Sequence, residues 1–406
     1  MKESGLSRVA YAILFTVTLA TAVGNLGLVA VMPAIGRALK IPDALVACIF
    51  SLSALAYAFT APVWASVSDR RGRKPMILLG LAGFGGSMIG CGFVVLAGMH
   101  QLATGIALGI AFAVIRSSYG LFGSAAGTAS QAYIADHSHG HARVRALSGL
   151  AGALSIGTII GPALSPLLII EPMGLAGPMF IFGLFAAILF CLVTFCLSSG
   201  KGISATPASG SPPSKLWHDP VLRRLMIQGL TVASAQAVNT YTLGFAILDS
   251  THRPPTQAQS LIGIAMSIGA ASGLVAQLGL VNILKPSPAA MLRWGVLLVA
   301  VGNGLIIAVG GIPVLLAGFA IACFGYGLAR PGFSAGLSLA VGADRQGAVA
   351  GAVNAIAGAS IALPPIIAIA CYQLWWGAPF FIAAAGCAFV FVDIVRKRPP
   401  VFPVSD

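Results

Sequence analysis

Arg116 is the residue whose chemistry asks for most explanation. It stands about 12 residues into an apolar stretch covering residues 104–134, too deep to snorkel to either surface. An arginine near the centre of a membrane helix costs about 2.5–3.5 kcal/mol on insertion scales, so such residues face a water-filled cavity or a partner. Two readings follow. Either the guanidinium works on a substrate in a cavity, or it pairs with helix carbonyls and polar groups of the first apolar stretch. A cavity-facing cation suits a substrate that brings its own negative charge, such as a carboxylate or phenolate. Arg330 poses the same choice nearer a helix end. Neutral hydrogen-bonding groups accompany the two cations: Thr18, Thr21 and Asn25 early in the chain, and Gln236, Asn239 and Thr240 later. The last three, spaced i, i+3, i+4, fall on one helix face.

Two further segments have suggestive spacing. Asp69-Arg70-Arg71-Gly72-Arg73-Lys74 reads as a tight turn between two helices, with an acid at a helix end and a cluster of cations. Gly157, Gly161 and Pro162 read as small-residue helix packing with a tolerated kink. Other signals carry no chemistry. Gly332-Phe-Ser334-Ala-Gly336 spells a nucleophile elbow, but it lies late in an apolar helix without the strand, turn and histidine that the motif needs. His137, His139 and His141 alternate in a solvated loop with no fixed backbone to shape a metal site. The seven cysteines sit in apolar runs at no ligand or disulfide spacing. No metal, no cofactor and no enzymatic activity are expected, because no acid, base and nucleophile converge.

The elements that must position these residues are membrane helices. Of 406 residues, 58% are hydrophobic and 8% charged, and the mean hydropathy is +0.95. No water-soluble core absorbs that much apolar surface, which excludes soluble enzymes, disordered chains and secreted disulfide scaffolds. A bilayer crossing takes about 20 apolar residues. Stretches of that kind fall at 9–34, 45–66, 76–97, 104–134, 144–168, 176–198, 222–247, 257–284, 288–310, 313–338, 346–370 and 375–395. The fold class is therefore an all-α polytopic membrane protein with twelve transmembrane helices. Residues 1–198 form one six-helix half and 222–406 the other; 199–221 make a Gly/Ser/Pro-rich linker, and Leu216–Leu225 is read as a short interfacial helix. Five tryptophans close to helix ends read as interfacial anchors.

Lysine and arginine fix the orientation. Eighteen fall in the loops on the side of both termini, against Arg37, Lys40 and Arg253 on the other, so both termini are expected in the cytoplasm. The net charge of +13 is then a topology signal and not a nucleic-acid footprint. Arg143, Gly149 and Pro162 recur 202 positions on as Arg345, Gly351 and Pro364, the mark of a duplicated unit with a binding site between halves.

The charged loop resembles the G-x-x-x-D-R-x-G-R-K loop of the major facilitator superfamily, with Ala65 in place of the first glycine. Arg116-Ser-Ser-Tyr119-Gly120 is similar to the family's R-x-x-q-G motif, with Tyr119 where glutamine is common. Gly157 to Pro162 resembles the G-x-x-x-G-P motif of the drug:proton antiporter branch, although Ser165 and Pro166 replace its closing glycines. Tyr133 to Asp136, Arg330-Pro331 and the run Asp344 to Gly347 add further likeness to that branch, among whose members are multidrug, tetracycline and quinolone exporters.

The resemblance implies a secondary transporter in a bacterial inner membrane, acting as a monomer by alternating access and exporting a drug, siderophore or metabolite. It implies that Asp69, Arg70, Gly72, Arg73 and Asp136 form a cytoplasmic gate, with Arg73 paired to Asp136 and Asp69 facing the helix near Gln346. Gly157, Gly161 and Pro162 would seal the cavity against proton leak. Substrate would meet Arg116, Tyr119, Asn25, Thr21, Gln236, Asn239, Thr240 and Arg330. A proton is the expected coupling ion, yet the ten carboxylates all lie at or near the two surfaces, where exporters of this branch carry one in a span. Coupling then falls to a rim acid such as Asp249, Asp136 or Asp344, or to the substrate. Uptake or uniport of an organic anion is the alternative, and a non-transporting sensor a further one.

Overall fold

A computed structural model describes residues 6–138, 140–198, 213–251, 254–284, 286–309, 311–342 and 345–396. Its helices are α1 (Arg8–Ala38), α2 (Asp43–Arg71), α3 (Arg73–Met99), α4 (Gly105–Asp136), α5 (Gly140–Leu164), α6 (Gly177–Cys196) and α7 (Pro220–Thr251). There follow α8 (Pro255–Leu274), α9 (Val281–Leu284), α10 (Pro288–Val309), α11 (Ile312–Leu339), α12 (Gln346–Ala362), α13 (Pro364–Leu374) and α14 (Ala378–Arg396). Among the described residues no strand forms; Ile170 and Gly174 share one isolated bridge.

Eleven helical segments among the described residues are long and apolar enough to cross a bilayer. The twelfth expected span is α7. It has the length, 32 residues, but Gln228, Thr231, Ser234, Gln236, Asn239 and Thr240 dilute its apolar character. Side chains close the N-terminal ends of several helices in the usual way. Ser7 accepts from the Ala10 amide at 3.0 Å at the start of α1, and Asp219 accepts from the Val221 amide at 2.8 Å at the start of α7.

The structure departs from the sequence expectations at three points. Leu216–Leu225 is not a separate interfacial helix: a 3₁₀ turn, Pro213–His218, is followed at once by α7. Asp219 caps that helix and Pro220 takes its first position, where a missing N–H costs nothing. The span expected at 346–370 is two helices, broken at Leu363. Pro364 has no N–H to return to the Ser360 carbonyl, and its ring crowds that carbonyl. The eighth span carries a π-helical turn, Val275–Leu280, between α8 and α9.

The chain forms two compact units, residues 1–205 with 253–267, and residues 206–252 with 268–406. In the first, Leu14, Val17, Ile77, Leu81, Ala129 and Val193 bring α1, α3, α4 and α6 onto one core. Small residues let α1 and α5 approach to backbone contact. A side chain at Gly157 would strike Ala22 and Val23, and one at Gly161 would strike the Val23 carbonyl and the Gly27 amide. In the second unit Met226, Val296, Val299, Tyr326, Leu337 and Cys387 join α7, α10, α11 and α14.

Candidate functional site

The charged loop is built on a one-residue turn. Gly72 alone separates α2 from α3, and its φ of +94° is a conformation that side chains resist. The turn sends the Arg73 side chain back under the loop, where it is nearly buried. Its Nη1 donates to Ser68 Oγ at 3.2 Å and to Asp69 Oδ1 at 2.5 Å. Its Nε donates to Asp136 Oδ2, on the last residue of α4, at 2.8 Å. One guanidinium thus ties the ends of α2, α3 and α4 together, with the pairing that the loop's resemblance implies. Asp69, Arg70 and Arg71 are exposed beside it. Lys74 points the other way and donates to the Thr194 carbonyl of α6 at 2.7 Å.

Arg116 is the twelfth of the 32 residues of α4 and is 1% exposed. Its Nη2 donates to Asn25 Oδ1 of α1, and the guanidinium carbon stands 4.3 Å from the centroid of the Tyr119 ring, a cation–π distance. Tyr119 is itself fixed by Tyr57 of α2, at 5.9 Å between centroids, and by the edge of Phe84 of α3, at 5.6 Å. The backbone around Arg116 is held as firmly. Ser53 Oγ donates to the Arg116 carbonyl at 3.2 Å, and Thr60 Oγ1 donates to the Gly120 carbonyl at 3.2 Å. A side chain at Gly120 would run into the backbone of Ser53, so α2 and α4 meet here at backbone distance. The result is a cation inside the helix, held by an amide and by one aromatic ring that two further rings fix.

Of the expected binding residues in this unit, Arg116, Tyr119 and Asn25 converge. Thr21 shares the Asn25 face of α1, but its hydroxyl is spent on the Val17 carbonyl at 2.9 Å. Tyr57 and Phe84 complete the cluster and had no sequence signal, since an aromatic in an apolar run reads as core.

The second unit carries its own polar residues. Gln236 Oε1 accepts from Arg330 Nη1 at 3.4 Å, and Thr240 Oγ1 donates to the Gln236 carbonyl at 2.9 Å. Asn239 is fully buried, and among the described residues neither end of its amide finds a partner. The structure therefore divides the expected stripe: Gln236 and Thr240 are half-buried, while Asn239 faces the packed interior of α7. Two acid contacts had no sequence signal. Asp393 of α14 accepts from Arg224 Nε at 2.6 Å and from Gln228 Nε2 at 2.9 Å. Tyr372 of α13 donates to Asp249 Oδ2 at 2.7 Å. Among the described residues no group of three or more His, Cys, Asp and Glu is placed to hold a metal. His139 of the alternating histidines, and Asp344 of the rim acids, lie outside the described residues.

Membrane-crossing helices in two units, a one-residue charged turn and a cation held mid-helix define a multi-pass membrane transporter. The chain belongs to the Major Facilitator Superfamily, whose sequence profile matches residues 14–286. No curated protein matches it. Solved structures do. A point mutant of the nucleoside transporter NupG is 12% identical, with a TM-score of 0.77 over 95% of this chain and 99% of that one. A bacterial homologue of the iron transporter ferroportin, in an inward-facing state, is 16% identical, with a TM-score of 0.73 over 95% and 98%. The human organic anion transporter MFSD10 (TETRAN) is 19% identical, with a TM-score of 0.65 over 95% and 98%. At these identities the likeness is one of fold.

Proposed function

We propose that this protein is a monomeric secondary transporter of the bacterial cytoplasmic membrane that exports a small organic molecule bearing negative charge. Both termini lie in the cytoplasm. The observation that carries the proposal is Arg116, a permanent cation at the twelfth position of a 32-residue helix, held by Asn25 and the Tyr119 ring. A charge is retained at that depth where it serves transport. Asn25 and Tyr119 orient the guanidinium without neutralising it, which suits recognition of a carboxylate or phenolate. The second unit has a cation and an amide of its own, Arg330 and Gln236. Export is supported by the Gly157, Gly161 and Pro162 segment, which closes α5 onto the α1 backbone and leaves little room for a proton path between them.

Proton coupling is part of the proposal, carried by a rim acid such as Asp249, Asp136 or Asp344, or by the substrate itself. The test is transport by the purified protein in proteoliposomes, across a panel of anionic and cationic organic compounds, with and without an imposed pH gradient. Anionic compounds moving against their gradient when a pH gradient is imposed is the expected result. Transport that runs only down the substrate gradient, whatever the pH, would replace exchange by uniport. That second reading is favoured by the placement of all ten carboxylates at or near the membrane surfaces. Movement of cationic compounds alone would overturn the proposal.

A further inference from the structure

Ser53, Tyr57, Thr60 and Trp64 recur at i, i+4, i+7 and i+11 and so share one face of α2. Three of the four are spent on the backbone of α4. Ser53 Oγ donates to the Arg116 carbonyl, Thr60 Oγ1 to the Gly120 carbonyl, and Trp64 Nε1 to the Leu121 carbonyl at 2.6 Å. Bonds of this kind hold two membrane helices in register. Tyr57 stands between them and is used differently. Its ring packs on Tyr119 at a tilt of 40°, and its hydroxyl reaches further along α4, to Gly127. A methyl carbon built on Gly127 would meet that hydroxyl at 3.0 Å and, outside the helix's own backbone, no other described atom within 4 Å.

The glycines of α4 explain the arrangement. Gly123 lies one turn beyond Tyr119, and Gly127 one turn beyond Gly123. A side chain at Gly123 would run into the Tyr119 ring at 2.5 Å, so that glycine makes room for the ring. At Gly127 the same groove continues, with the Tyr57 hydroxyl at its edge. Tyr57, Tyr119 and Gly127 are all half-buried. The order along the groove is therefore a guanidinium, two aromatic rings, a phenol hydroxyl and a gap. Each part has its own chemistry. The guanidinium takes an anion, the rings take a flat apolar body, and the phenol both donates and accepts a hydrogen bond.

We propose that Tyr57 is a substrate-binding residue that sets specificity, and that the anion recognised is an elongated aromatic one. Its carboxylate or phenolate meets Arg116, its rings lie along Tyr119 and Tyr57, and a neutral polar group at its far end meets the Tyr57 hydroxyl over Gly127. This rests on the reading of Arg116 as an anion-binding cation and adds the shape of the anion. An aliphatic anion satisfies Arg116 but leaves the rings and the hydroxyl unmatched. A site built to pair a substrate hydroxyl discriminates against the analogue that lacks it.

Four probes separate the shape of the anion from its charge: 6-hydroxy-2-naphthoate, 2-naphthoate, 2-naphthamide and octanoate. Binding to the purified full chain in lipid nanodiscs is measured by calorimetry, with empty nanodiscs as baseline. In the parent, 6-hydroxy-2-naphthoate binds about five-fold more tightly than 2-naphthoate, the effect of one hydrogen bond. The naphthoate binds about five-fold more tightly than octanoate, the effect of an aromatic pair. Tyr57→Phe abolishes the first preference and keeps the second. Gly127→Ala, which puts a methyl against the hydroxyl, also abolishes the first. Tyr57→Leu loses both. A purely structural role for Tyr57 would instead weaken all three anions alike and leave the ratios unchanged. An unchanged hydroxyl preference in monodisperse Tyr57→Phe overturns the proposal, as does equal binding of 2-naphthoate and octanoate by the parent, and both leave the charge reading standing. Equal binding of 2-naphthamide and 2-naphthoate is the separate signature of a failed charge reading. Binding of none of the four by the parent overturns both. Should Tyr57→Leu fail to fold, Tyr57→Phe decides.

Discussion

Asp136 and Asp69 share one arginine but are expected to answer differently when neutralised. The Arg73 side chain is 6% exposed, that of Asp136 is 11% exposed and that of Asp69 is 48% exposed. Removing one partner of a buried pair costs about 3–5 kcal/mol, because the other charge is left in a low dielectric. Here Asp69 stays to compensate, so roughly half that loss, about 2 kcal/mol, is expected for Asp136→Asn. Asp69→Asn removes a half-exposed pair, worth about 0.2–1 kcal/mol. In a unit of this size each kcal/mol moves the midpoint by about 2–4 °C, so Asp136→Asn lowers it by about 4–8 °C and Asp69→Asn by at most about 4 °C. The assay is thermal unfolding in detergent, followed by intrinsic tryptophan fluorescence and by the monodisperse fraction that remains. Transport is expected to rank the two differently: neutralising Asp69, exposed at the charged turn, is expected to slow turnover although the protein stays stable. Equal losses of midpoint, or a normal transport rate in Asp69→Asn at normal expression, would refute this division of labour.

Two other substitutions probe the packing that positions the site. Gly161→Ala puts a methyl against the Val23 carbonyl and the Gly27 amide, an overpacking worth about 1–3 kcal/mol. Gly152→Ala, with nothing within 4 Å, is the neutral control in the same thermal assay. Asp393→Asn weakens the charge-assisted bonds from Arg224 and Gln228, and a loss of about 1–2 kcal/mol is expected, read as a lower midpoint.

The parts of this fold that sequence exposes are those where one residue type has one use. Apolar runs of bilayer length, a glycine between two charged helix ends, and an arginine with an acid at a helix terminus all read directly. Proline was visible as well, but its consequence was not. Pro364 ends α12 outright, whereas Pro33 and Pro162 are carried inside α1 and α5. No local spacing separates the proline that ends a helix from the two that are carried inside one. Arg116 illustrates the same limit. Its depth announced that the charge was costly, and the two candidate environments, cavity or polar partner on the first span, could not be separated from α4 alone. The structure supplies Asn25 as a partner and adds Tyr57 and Phe84, which no periodicity distinguishes from ordinary core aromatics. Asp393 stood among the surface acids in the sequence, yet Arg224 and Gln228, about 170 residues earlier, reach it across the second unit.

The central claim is that the Arg116 charge selects anionic substrates. Its most direct test is the ratio of anionic to cationic compound transported by Arg116→Gln relative to the parent, in proteoliposomes of matched protein content. Glutamine removes the charge and keeps an amide donor on a shorter side chain. A fall of this ratio by about ten-fold or more, worth about 1.4 kcal/mol of lost recognition, with the variant still folded, is the expected result. An unchanged ratio at unchanged turnover would contradict it.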